Sequence, residues 1–297
     1  MTKSKQEHSI FARIIPGLTS LPGRGLAGWM IMIGAAIVIF IVFMTLLAPW
    51  IAPYSPYQIN VGPRLSPPSA QFPFGTTSSG QDMLSRVIWG GGNMLQVAAL
   101  SVTFCLIIGM PIGLFVSHIG GKLDRVTGLL MDSIYAFPGL VLAIAIAAVL
   151  GRGVVNMALS IAVVYIPSYF RVIRSQVLTI KEIPYTEAAR SIGARSTSVL
   201  FRYIMPNVVP SIITVATVNF PDAILTAAGL TFVGLGLEVN IPDWGRDLTD
   251  GRALLPTGAW WVSTFPGIMI VVLVLGFTLV GEGLGELFNP KLQERGG

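Results

Sequence analysis

The segment Arg171-Val-Ile-Arg174-Ser-Gln-Val-Leu-Thr-Ile-Lys181-Glu182-Ile-Pro184-Tyr-Thr-Glu187-Ala188-Ala189-Arg190-Ser-Ile-Gly193-Ala-Arg195-Ser-Thr-Ser-Val-Leu-Phe-Arg202-Tyr203-Ile-Met205-Pro206 lies between two long apolar runs. It carries six basic residues against Glu182 and Glu187, a net charge of +4. Pro184 suits the first turn of a helix, where a missing N–H costs nothing. Glu187-Ala188-Ala189 propagates that helix. Gly193 suits a C-terminal turn of positive φ. Ser196 or Thr197 is placed to cap a second short helix, and Pro206 marks the entry to the next apolar run. The pattern predicts two short amphipathic helices around a glycine. Such a surface suits a groove in a partner protein; a solvated connector or a helix lying on lipid headgroups is the alternative.

Outward from this segment the chain is apolar. Six stretches approach the roughly 20 residues needed to cross a bilayer core: about 27–48, 93–117, 128–150, 154–172, 207–233 and 260–281. Only 11% of residues are charged and 53% are hydrophobic, over 297 residues with a mean hydropathy of +0.73. A soluble domain carries about 25% charged residues, so an ordinary water-soluble enzyme is excluded. Disorder is excluded by the same excess of apolar surface. What remains is an all-α integral membrane protein of six spans. The first stretch is longer than a secretory h-region and lacks a small-residue cleavage site, so it is expected to stay as a span.

Lys and Arg positions set the orientation. A cytoplasmic N-terminus puts fourteen inside: four in the tail, Lys122 and Arg125, six in residues 171–206, and Lys291 and Arg295. It leaves five outside: Arg64, Arg86, Arg152, Arg246 and Arg252. Both termini are therefore expected in the cytoplasm. The four outside arginines other than Arg152 are expected to hold turns or meet Asp82, Asp243, Asp247 and Asp250. The formal charge of +5 follows from this topology, with no aromatic–basic stripe for nucleic acid.

The expected organisation is a cytoplasmic tail 1–26 and one transmembrane domain 27–293. An external Pro-, Ser- and Gly-rich loop fills 49–92, with a short helix around Asp82–Trp89. The basic cytoplasmic loop spans 173–206. Acids within the spans are few: Asp132 near the start of the third, and Asp222 inside the fifth. Pro111, Pro138, Pro167 and Pro221 interrupt the runs. Such kinks favour a transporter over an anchor, although ordinary helix irregularity would also produce them. One cysteine, Cys105, and two distant histidines, His8 and His118, leave no metal-site spacing. No phosphate loop exists, because Gly121-Lys122 is followed by Leu123 and lacks the upstream glycine.

Glu187-Ala188-Ala189, three residues, Gly193, twelve residues and Pro206 resemble the coupling loop of importer-type ABC permeases, E-A-A-x3-G-x9-I-x-L-P. Tyr203 and Met205 stand for its Ile and Leu. The stretch Phe74-Gly75-Thr76-Thr77-Ser78-Ser79-Gly80-Gln81-Asp82-Met83-Leu84-Ser85-Arg86 resembles F-G-T-D-x-x-G-R-D-x-L-S-R of the C-type permeases of dipeptide and oligopeptide systems. Thr77 and Gln81 replace the usual Asp and Arg. Leu230–Gly236, Pro242-Asp243-Trp244-Gly245, Phe265-Pro266-Gly267 and Asn289-Pro290-Lys291-Leu292 extend the similarity over about residues 28–293.

The resemblance implies the transmembrane domain of a type I ABC importer. It implies a homologous second permease, two ATPase subunits that hold ATP and Mg, and an external solute-binding protein. This chain would bind no cofactor and catalyse no reaction. Its coupling residues would be Glu187, Ala188, Ala189, Gly193 and Pro206. Peptide is the expected cargo; nickel chelates, glutathione, opines and oligosaccharides are carried by similar chains. A self-sufficient carrier predicts more charge within the spans, and a membrane-embedded enzyme needs a catalytic cluster.

Asp222 lies sixteen residues after Pro206, about 24 Å along a helix at 1.5 Å per residue, past the middle of a core about 30 Å thick. The family pattern has a small residue there. Asp222 would line the pathway and meet a cationic group of the cargo, or bond a neighbouring span or the partner permease. Asp132 is a second pathway position.

Overall fold

In the computed structural model, residues 25–238 and 240–287 are described. The N-terminal tail, with His8, and Asn289-Pro290-Lys291-Leu292 and Arg295 lie outside them. The described residues form helices, joined by turns and a single bridge between Thr76 and Asp82. The helices are α1 (Leu26–Leu46), α2 (Ala48–Ile51), α3 (Met83–Ile119), α4 (Gly121–Tyr135), α5 (Gly139–Leu150), α6 (Val154–Lys181), α7 (Pro184–Ser191), α8 (Ser196–Ser198), α9 (Met205–Phe232), α10 (Trp244–Leu254) and α11 (Trp261–Leu287). A π-helical turn, Val199–Ile204, joins α8 to α9.

Five elements are long and apolar enough to cross a membrane: α1, α3, α6, α11, and α9 with the turns that lead into it. The span expected over 128–150 is not one helix. It breaks at Ala136-Phe137-Pro138 into α4 and α5, which meet at 91°. Pro138 offers no N–H and pushes Phe137 away from helical backbone; it becomes the N-cap of α5. Elsewhere prolines stay inside helices: Pro111, Pro167, Pro210, Pro221 and Pro266. The short helix expected at Asp82–Trp89 is the start of α3, and Asp82 caps it.

The bundle is held by α3 against α6, α1 against α11, and α9 against α6, α3 and α11. Two apolar helices gain nothing from water exclusion inside lipid, so close backbone approach decides their packing. Gly34 and Gly276 serve this between α1 and α11. A Cβ on Gly34 would lie 2.5 Å from the Gly276 carbonyl oxygen. The main core gathers Ile41, Met94, Met157, Ile161, Ile224, Leu230, Trp244 and Leu273 at the centre of the bundle.

The chain has two distinct ends. Residues 52–82, α10 and the start of α11 build one, here the loop end. The close of α3, α7, α8 and the π turn build the other, here the basic end.

Candidate functional site

At the basic end, Pro184 opens α7, and Thr186 and Ala189 face inward, almost fully buried. Glu187 in its first turn and Arg190 in its last agree with the helix dipole. Glu187, Ala188 and Arg190 are exposed. Gly193 ends the helix at φ +83°, and the Ala194 N–H donates to the Ala189 carbonyl at 3.0 Å. This is a glycine-terminated helix end of the expected kind. A Cβ at Gly193 would meet no atom within 4 Å, so only backbone conformation demands glycine there.

The second short helix has three residues, and Arg195 occupies its N-cap without a side-chain bond. Ser196 is its first residue, so the expected capping by Ser196 or Thr197 does not occur; its hydroxyl instead lies 2.7 Å from His118 Nε2. The π turn then buries Val199, Leu200 and Ile204 against Leu114 of α3, Ile173, Val177 and Ile180 of α6, and Val208 and Ile212 of α9. An exposed arm is thereby welded to the ends of three long helices. Pro206 sits in the first turn of α9.

Two further contacts fasten this end, and neither has a sequence signature. Lys181 Nζ donates to the carbonyls of Ser117 (3.1 Å) and His118 (2.9 Å), closing the last turn of α3. Arg174 grips Asp124 of α4 with two bonds of 2.7 Å.

Asp132 pairs with Arg171 at 2.9 Å, both side chains more than half exposed, and Arg171 also lies 4.4 Å from the Tyr135 ring. Asp222 is set differently. Its carboxylate has no hydrogen bond or ion pair among the described residues and lies on the exposed face of α9. Its backbone carbonyl accepts from Thr226 Oγ1 at 2.8 Å and Tyr165 Oη at 3.3 Å. Among the described residues, then, Asp222 meets a neighbouring span only through its backbone carbonyl, not through its carboxylate. Ser211, Thr214, Val218 and Asp222 recur at helical spacing on one side of α9. The first three line an open cavity of about 490 Å3 with Ser168, Val172 and Asn219. The two candidate acids therefore have different settings, one neutralised and one bare.

The loop end is tied by buried polar groups. Asp82 accepts from the Ser85 N–H at 2.8 Å and its hydroxyl at 2.6 Å. Arg86 donates from Nε and Nη2 to Asp247 Oδ1 at 2.9 and 2.7 Å, with both side chains 4% exposed. Trp244 is fully buried and donates to the Val87 carbonyl; Trp261 donates to the Thr76 carbonyl. Asp243 caps α10 through the Arg246 N–H. Burial pushes the Asp243 carboxyl up to about 6, and burial also raises Asp247 against the pull of Arg86. Arg246 meets Asp250 at 3.4 Å, and Arg252 lies over the Phe232 ring. The expectation that these arginines meet nearby acids thus holds for Arg86 and Arg246.

Helices, an exposed arm after α6 and a capped loop end describe a scaffold, and comparison places it. The model of the binding-protein-dependent transport system inner membrane component matches residues 109–294. The chain belongs to that family. A second model, the N-terminal transmembrane domain of oligopeptide transport permease C, matches residues 29–68. Among relatives, the dipeptide transport system permease protein DppC of Alkalihalophilus pseudofirmus is 36% identical over 261 residues, 88% of this chain and 86% of that one. The di/tripeptide transport system permease protein DppC of Pseudomonas aeruginosa is 38% identical over 266 residues, 88% of each. The glutathione transport system permease protein GsiD of Escherichia coli is 37% identical over 270 residues, 89% of this chain and 87% of that one. Among solved structures, the inward-facing MetNI methionine ABC transporter matches with a TM-score of 0.55 at 20% identity. It covers 67% of this chain and 94% of that chain, and it shows the shared fold. This inner membrane component is thus an integral membrane protein with the type I importer fold.

Proposed function

We propose that this chain is one permease subunit of an ABC importer for di- or oligopeptides, and that it forms half of the translocation pathway. Residues 27–293 act as one transmembrane domain, with the N-terminus in the cytoplasm of a prokaryotic cell. A second permease completes the pathway. An external solute-binding protein delivers the cargo. Two separate ATPase subunits bind ATP and Mg and supply the energy; this chain itself catalyses nothing. The observation that carries the reading is the arm at the basic end. Glu187 and Ala188 are exposed on a short helix that is welded through Val199, Leu200 and Ile204 to α3, α6 and α9. A push on α7 by a docked ATPase is passed into three long helices at once, which is what alternating access requires. The names of the peptide-permease relatives support the cargo class.

The test is assembly and uptake. The chain, coexpressed with its neighbouring reading frames, should copurify with two ATPases and a second permease. Native mass spectrometry of the accompanying binding protein should show a bound peptide. A glutathione or metal-chelate ligand would overturn the cargo; purification without any ATPase would overturn the function. The bare carboxylate of Asp222 refines the reading. We infer that it lines the pathway and meets the cargo's amino terminus. Asp222→Asn should then impair uptake of free peptides and spare N-acetylated ones. Equal impairment, with less partner permease copurified, would move Asp222 to the subunit interface.

A further inference from the structure

The close of α3 and the segment after α7 enclose a basic cavity that the transport reading does not use. Its volume is about 340 Å3, and its lining includes His118, Ile119, Lys181, Arg190 and Ser196 but no carboxylate. Asp124 of α4 already has both its oxygens taken by Arg174 at 2.7 Å. Lys181 uses two of its three N–H groups on the carbonyls of Ser117 and His118, so one donor remains. Arg190 is exposed, and its guanidinium makes no hydrogen bond or ion pair among the described residues. His118 Nε2 is engaged with Ser196, while Nδ1 is buried without a partner. Lys181 and Arg190 thus bring spare donors and positive charge to the cavity.

Its wall is not polar throughout. Ile119 lines it and is 67% exposed. Phe115, one helical turn earlier on the same face of α3, is also exposed, and its ring meets the exposed ring of Phe201 edge-on at 6.0 Å. An apolar strip therefore leads out of a basic cavity at the end of a membrane-spanning helix. A free anion would use the cavity and leave the strip bare. A molecule with an anionic head and a hydrocarbon tail fits both parts, and basic pockets at the ends of spans are where anionic headgroups bind.

We propose that this cavity holds the phosphate headgroup of an anionic phospholipid, with an acyl chain lying along Ile119, Phe115 and Phe201. The site joins α3 to the arm through one ligand, because His118 and Lys181 belong to the long helices and Arg190 and Ser196 to the arm. The lipid then braces the arm at the bilayer surface, and this holds whatever the cargo is.

The experiment is native mass spectrometry of the assembled transporter in detergent, incubated with phosphatidylglycerol or phosphatidylcholine, each with and without inorganic phosphate. The assembled complex should retain phosphatidylglycerol in preference to phosphatidylcholine, and inorganic phosphate should not displace it. Arg190→Gln should lower retention about fivefold, the effect of one interfacial cation. Ser196→Asp, which sets a resident carboxylate beside His118, should abolish the preference. Both positions are exposed, and an unchanged unfolding midpoint in each variant shows that the fold is intact. Equal retention by all three proteins would overturn the proposal. So would displacement by inorganic phosphate, which marks a free-anion site. Lipid retention only after the ATPases are stripped away would assign the cavity to an acidic ATPase surface instead.

Discussion

The two ends of this molecule use charge in opposite ways. At the loop end, Arg86 and Asp247 are 4% exposed, and Asp82 and Asp243 are spent on capping helices. At the basic end Glu187 and Arg190 stand in the open, and Arg171–Asp132 is a pair with both members more than half exposed. Buried charges that have partners fix a geometry, because removing either partner strands the other in low dielectric. Exposed charges cost little to hold and remain available to a second protein. The difference separates an end whose charges fix its shape from an end whose charges stay open, the one the proposed function gives to a partner.

The sharpest way to break this contrast is at the buried pair. Asp247→Ala strands Arg86, and a loss of about 3–5 kcal/mol is expected. It should appear as a large drop in folded yield and unfolding midpoint in detergent. Arg86→Met combined with Asp247→Leu should recover most of it, since a well-packed apolar pair is often neutral. Equal exposure-limited losses from Asp132→Ala and Asp247→Ala would erase the distinction between the ends.

The next effect comes from Asp243. Its folded carboxyl titrates near 6, above its unfolded value, so the folded state binds the proton more tightly. Stability from this group is therefore present at low pH and lost as pH rises from about 4 through 6. The cost above pH 6 is on the order of 2–3 kcal/mol. Asp243→Asn keeps an acceptor for the Arg246 N–H and removes the titration. Unfolding midpoints measured from pH 4 to 8 should show the difference between the two proteins growing through that window. A constant difference would disprove the burial argument.

At the basic end, Gly193→Val should leave folding and insertion intact. A β-branched residue at φ +83° costs about 1–3 kcal/mol, which the turn can relieve by re-aiming α7. The assembled transporter should hydrolyse ATP and lose most of its uptake. Gly193→Asn, which tolerates this backbone better, should retain more.

The smallest effect sharpens the contrast without perturbing either end. Ser69→Cys and Thr197→Cys are exposed substitutions, each expected to change stability by less than about 0.5 kcal/mol. A membrane-impermeant thiol reagent on intact cells should label the first and not the second. Labelling of position 197 from outside would invert the orientation.

Much of this architecture was legible. Apolar length located five spans, because the need for about 20 apolar residues leaves little choice. Pro184 and Gly193 located the arm, because each residue has one conformational use at a helix end. Opposed charges near Arg86 and Arg246 were enough to anticipate ion pairs there. The break at Pro138 was visible as a kink, but neither its 91° angle nor the ion pairs from Arg171 and Arg174 that tie α4 to α6 were. Those partners are 39 and 50 residues away from their acids, and no local pattern links them. The His118–Ser196 contact and the Lys181 cap are of the same kind. They exist only because α3 and α6 end side by side. The bare carboxylate of Asp222 was legible in position, while its lack of a partner among the described residues was not.

The π turn at Val199–Ile204 has a consequence of angle. Each residue of an α-helix advances the side chains by about 100° around the axis. A wider i→i+5 turn carries more chain through one revolution than α-helical winding does. The turn therefore sets the phase between α9 and everything before it. Winding the same six residues as α-helix, with none removed, would rotate Ser196 by roughly 100°, away from His118. Glu187 and Ala188 would swing with it, keeping their sequence and their helix while facing another direction. The six residues of this turn act as the index mark of the arm.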